Sequence, residues 1–180
     1  LLELIASGKV IVPRNPLHPR ARPVGIGKRL RTKVNVNIGT SADYPDLDSE
    51  LEKLDVSLKC GTDTVMDLST GGDIVTIRKK ILEKSDVPVG TVPIYQAALA
   101  AIEQRGSIVN MTEDDLFQAI EAQAKEGVDF MTVHCGLTMR ALARLKNQGR
   151  VADVVSRGGA FHLAWMLHNH KENPLYSRYD

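Results

Sequence analysis

Cysteine is scarce in this sequence: its 180 residues include only Cys60 and Cys135. Two cysteines cannot build a disulfide framework, which points to a reducing, cytoplasmic setting. No apolar run approaches the roughly 20 residues of a membrane span. The opening LLELIASG, acidic at Glu3, is too short for a signal peptide. No membrane partner is therefore expected. The composition, 43% hydrophobic and 25% charged, suits a chain that buries one sizeable core, and excludes disorder, collagen and coiled coil. A formal net charge of +1 singles out no partner.

Several catalytic motifs are also missing. There is no P-loop and no Gly-x-Ser-x-Gly elbow. No predicted strand ends in lysine, which removes a Schiff-base aldolase. His168 and His170 are two apart and diverge on a helix. His162 and His170 share a face but stand about 12 Å apart, so that helix reads as structural. Acid is absent from residues 9–33, which carry eight Lys or Arg. Pro13, Pro16, Pro19 and Pro23 make this stretch an extended arm. A nucleic-acid patch would interleave aromatics with the charges for stacking; none do, so a solvated basic arm packed along a larger body is expected.

What is present is a rhythm. After a short N-terminal helix and the arm (residues 1–33), short β-branched runs begin near Val34, Thr64, Val89, Phe130 and Asp153. Helical patterns lie between them: DSELEKLDVSLK, DIVTIRKKILEK, TEDDLFQAIEAQAKE with Thr112 and Asp115 at capping-box spacing, LTMRALARLKNQ and GAFHLAWMLHN. Strand–helix alternation at steps of roughly 25–40 residues predicts right-handed βα units with a parallel sheet covered on both faces. A Rossmann fold wants G-x-G-x-x-G after the first strand, where this chain reads NIGTSADYPD. A (β/α)8 barrel is the better match. Five units over 34–180 make it incomplete, since a full barrel takes about 250 residues. The missing strands are expected from elsewhere in a longer protein.

Barrel chemistry collects at the C-terminal strand ends. Those ends read Asn37, Met66 with Asp67, Tyr95, His134, and Ser156 with Arg157. Each also has an ordinary structural use: Asn37 as a turn cap, Met66 as core filling, Asp67 and Ser69 as caps of the helix near Asp73. On one shared rim they make a polar pocket. Ser156-Arg157-Gly158-Gly159 has the makings of a phosphate cradle, with uncovered backbone N–H groups, a helix start and a forked cation.

In chain order, VNVNIGTS, DTVMDLSTGGDI, VPVGTVPIYQA, MTVHCG and VVSRGG resemble the phosphomethylpyrimidine synthase family, as do PLHPRARPVGIGK and HKENPLYSRYD at the two ends. The resemblance implies a radical S-adenosylmethionine carbon–carbon lyase that converts 5-aminoimidazole ribotide to hydroxymethylpyrimidine phosphate in thiamine biosynthesis. It also implies a (β/α)8 barrel for the ribotide, a 4Fe–4S cluster held by three cysteines on a C-terminal tail, a zinc-like divalent metal held by two histidines, and a homodimer. The family's substrate contacts carry over onto Asn37, Met66, Tyr95, His134, Ser156, Arg157 and Gly158. No catalytic residue and no metal ligand is assigned here. The family's Asp-Gly-Leu-Arg segment, its Glu and Tyr contacts, metal histidines and cluster cysteines are expected beyond Asp180, and Cys60 and Cys135 do not match the cluster motif. Alone, the chain is expected to hold part of a substrate pocket and to generate no radical. The rival reading is a non-catalytic fragment that binds a phosphorylated ligand or self-associates through open strand edges.

Overall fold

The computed structural model describes residues 1–180, which divide into two compact units: Leu1–Thr91 with Glu121–Met131, and Val92–Ile120 with Thr132–Asp180.

In the first unit, helix α1 (Leu2–Ala6) leads into β1 (Val10–Ile11), which pairs antiparallel with β2 (Ile26–Gly27). The main sheet is parallel, in the order β3 (Asn35–Ile38), β4 (Thr64–Asp67), β5 (Val89–Thr91), β6 (Phe130–Met131). Helix α2 (Leu47–Lys59) joins β3 to β4, and α3 (Ile74–Lys84) joins β4 to β5. Asp46 caps α2 through Asp48 N, and Asp73 caps α3 through Val75 N and Thr76 N. One sheet face is apolar: Ile38, Val65 and Val89 pack with Leu54 of α2 and Ile77, Ile81 and Leu82 of α3. The register puts Asn35, Asn37, Thr64, Met66, Gly90 and Phe130 together on the opposite face. Burial there differs from the expectation of two covered faces, because Asn35 and Asn37 are exposed and Met66 is half-buried.

The arm is fastened to this unit by buried polar bonds. The Asp129 carboxylate accepts from Asn15 N at 2.7 Å, Val89 N at 2.7 Å and His18 Nδ1 at 2.6 Å. His18 Nε2 reaches the Ser85 carbonyl at 3.2 Å. Arg22 pairs with Asp86, and Arg31 pairs with Asp63, whose pKa this guanidinium lowers. These two arm cations thus face carboxylates of their own chain.

The second unit holds α4 (Pro93–Arg105), a 3-10 turn (Ile108–Asn110), the start of α5 (Glu113–Glu126), α6 (Met139–Gln148), α7 (Arg157–Asn169) and α8 (Pro174–Ser177). Trp165 of α7 donates to the Met111 carbonyl at 2.6 Å, and Asn169 to that of Val109 at 2.9 Å. These bonds tie α7 to the turn after α4.

Two sequence expectations need correction. The sheet has four strands, so the expected five βα units are not formed. The fifth segment, from Asp153, reaches α7 without pairing: Asp153 takes φ 39°, Val155 is 76% exposed and Val154 only half-buried, so the run lacks the buried face of a strand. Tyr95 does not end a strand. β5 stops at Thr91, and Tyr95 lies in the first turn of α4. Pro93 at the first helical turn was the available signal, since its fixed φ and missing N–H suit a helix start.

Candidate functional site

The seven predicted site residues fall into two groups. Asn37 and Met66 are register partners on β3 and β4 of the first unit. The Asn37 side chain accepts from Asn35 Nδ2 at 2.9 Å and caps no turn. Asp67, beside them in sequence, turns to the covered face, 5% exposed, and accepts from Ser69 N at 2.9 Å. Burial raises its pKa. Ser69 does not cap α3; its hydroxyl accepts from Thr40 N at 3.1 Å.

The STGG turn after β4 is small for a steric reason. Thr70 N donates to the Thr40 carbonyl at 2.9 Å, and Thr40 Oγ1 to the Gly71 carbonyl at 2.6 Å. A Cβ on Gly71 would run into the backbone of Ser41 and Ala42. The loops after β3 and β4 are thus knitted together, which is a structural use for the small residues of this turn.

The second unit brings Tyr95, His134, Ser156, Arg157 and Gly158 into one cluster. Ser156 caps α7, its Oγ accepting from Gly159 N at 3.2 Å and lying 2.9 Å from His134 Nε2. The His134 ring lies flat on Gly158: a Cβ there would come within 2.8 Å of both ring nitrogens, and closer still to Cε1. The guanidinium of Arg157 stands over the Tyr95 ring, 5.1 Å from its centroid, and Phe161 meets that ring edge-on at 6.0 Å. A phenol, a cation, an imidazole and a hydroxyl therefore surround the start of α7, where the helix dipole favours an anion.

Sequence reasoning missed two contributors. Asn173, 0% exposed, donates through Nδ2 to the carbonyls of His134 at 2.7 Å and Leu137 at 2.9 Å, holding the loop that carries His134. Nothing in its spacing marks it. His162 was assigned to a structural helix, yet its ring stands beside His134, with centroids 5.9 Å apart. Its position four residues after Gly158, on the same helix face, was the legible clue. Burial lowers the His134 pKa; burial first, and then the neighbouring His134, lower that of His162 to about 4.

The model of the radical SAM ThiC family matches residues 1–180. The chain belongs to the radical SAM ThiC family. Among curated relatives, phosphomethylpyrimidine synthases of Moorella thermoacetica and Thermoanaerobacter are 58% and 59% identical over all 180 residues. That of Dehalococcoides mccartyi is 54% identical over the same length. The chain spans 42% of the length of each of these relatives. The family description implies S-adenosylmethionine and an iron–sulfur cluster. The residues of this chain do not fit a cluster or a metal: its cysteines number only two, both free, and no three His, Cys, Asp or Glu side chains gather to hold an ion. No helix is long and apolar enough to cross a membrane.

Proposed function

We propose that this chain is part of a phosphomethylpyrimidine synthase acting in thiamine biosynthesis, and that it supplies part of the pocket for 5-aminoimidazole ribotide. The observation that carries the proposal is the cluster on α7, where Ser156, Arg157 and Gly158 meet Tyr95 and His134 beside a helix N-terminus. In this reading the ribotide phosphate takes the N–H groups and Arg157 at that terminus. Tyr95 and His134 contact the imidazole and ribose. Asn37 and Met66 belong to the sheet face that would line the interior once further strands close a (β/α)8 barrel, Asn37 as a polar contact and Met66 packing on the substrate. The arm (1–33) and the βα units (34–180) are the proposed domains. The whole enzyme would be a cytoplasmic homodimer without nucleic acid. Its cluster and zinc-like metal would be held by residues outside this chain, and no chemical step is assigned to the residues here.

The test is turnover by the intact, cluster-loaded protein supplied with S-adenosylmethionine and ribotide. Wild type should release hydroxymethylpyrimidine phosphate, and His134→Ala should lose at least about tenfold in rate, the worth of one good polar contact. Wild-type kinetics in His134→Ala would remove that residue from the site.

A further inference from the structure

His162 projects from the same face of α7 as Gly158, and its side chain is fully buried, 0% exposed. Neither of its ring nitrogens has a hydrogen-bond partner, and His134 Nδ1 beside it is likewise buried and unpartnered. The two rings stand 5.9 Å apart between centroids, tilted by 49°. Unsatisfied buried polar groups cost about 1–3 kcal/mol each, whereas an apolar ring of the same shape would carry no such cost. A histidine retained purely for packing is therefore a poor choice here. Gly158 explains how the pair forms: with no side chain at 158, the His134 ring reaches the helix surface and lies next to His162.

We propose that His162 is a positioning residue for His134: through one bridging water it holds the neighbouring imidazole in a single tautomer and ring orientation, with Nε2 fixed at Ser156. A buried water needs two or more polar partners, and the neighbouring rings, 5.9 Å apart between centroids, carry three buried nitrogens without one. Neutral His162 carries one N–H; donated to the water, it leaves the water to donate to His134 Nδ1, which selects the tautomer with the proton on Nε2, facing Ser156. The proposal rests on the ribotide reading above and names a residue that reading did not include.

The test uses the intact protein and calorimetric titration with 5-aminoimidazole ribotide. His162→Phe keeps the ring shape and removes both nitrogens. The expected result is an unchanged or higher melting temperature with affinity reduced about tenfold, partly recovered in His162→Gln, which restores a donor and an acceptor. Unchanged affinity in folded His162→Phe overturns the role. His134→Ala separates the two levels. If it weakens binding while His162→Phe does not, the ribotide site stands and the positioning role falls. If His134→Ala binds normally, His134 leaves the site and the positioning role falls with it; if Arg157→Ala binds normally as well, the ribotide reading itself fails. Should His162→Phe not fold, nitrogen NMR of histidine-labelled wild type decides: one fixed neutral tautomer at His134 supports the role, and an exchanging mixture overturns it.

Discussion

His18 in the first unit and His162 in the second are both buried, 3% and 0% exposed, yet they are built for opposite purposes. His18 meets an acceptor at each nitrogen, the Asp129 carboxylate and the Ser85 carbonyl. Only a doubly protonated ring satisfies both, and although burial opposes the charge, Asp129 and the carbonyls of Ser85 and Leu82 raise its pKa. His162 meets no acceptor and no donor, and burial drives its pKa down. A buried histidine with complete partners is a clamp, here holding a Pro-rich arm to a sheet. One without partners, beside a second imidazole at a helix start, is the feature on which the proposed positioning role rests.

Breaking the clamp should have the largest effect. Asp129→Ala strands three donors, two of them on buried residues, and leaves the His18 charge unpaired, and should cost about 3–5 kcal/mol in the urea midpoint. A loss below about 1 kcal/mol would mean the arm is not held this way.

Acidity separates the two rings by sign. For His162 the unfolded ring takes a proton near the ordinary value of 6.5 and the folded ring only near 4, so stability falls as pH drops through that window, by on the order of 3 kcal/mol. For His18 the folded pKa is raised, so its contribution is complete below 6.5 and fades as pH climbs through the folded value. Urea midpoints across this range should lose their acid-side decline in His162→Phe and their alkaline-side decline in His18→Phe. The reverse assignment would contradict the comparison.

Smaller effects test the support of His134. Gly158→Ala normally favours a helix, but here its Cβ meets the His134 ring and should cost about 1–3 kcal/mol with weaker ribotide binding. Asn173→Ala removes two bonds to the His134 loop and should cost a similar 1–3 kcal/mol. Lys125→Ala, which removes an exposed partner of Glu121, should leave the urea midpoint unmoved.

Much of this organisation was legible in the sequence. The β-branched runs at Val34, Thr64, Val89 and Phe130 became the parallel strands, because each was short, apolar and flanked by helical periodicity. The run at Asp153 failed for want of a buried face, and α4 was hidden inside an apolar stretch that continued from β5. Tyr95, His134 and Ser156-Arg157-Gly158 were singled out from residue type and position, and the structure gathers them at one helix start. Asn173 and His162 were not singled out. Asn173 meets the His134 loop across 39 positions of chain, which no local pattern encodes, and His162 meets His134 across 28, with only its i+4 spacing from Gly158 as a local clue.

The most direct test of the α7 cluster as a ligand site is calorimetric titration of 5-aminoimidazole ribotide into the intact protein, comparing wild type with Arg157→Ala. Loss of the cation at the helix start should weaken binding about tenfold or more, with a smaller loss for a ribotide analogue lacking the phosphate. Equal affinity of wild type and Arg157→Ala for the ribotide would contradict the placement of its phosphate at α7.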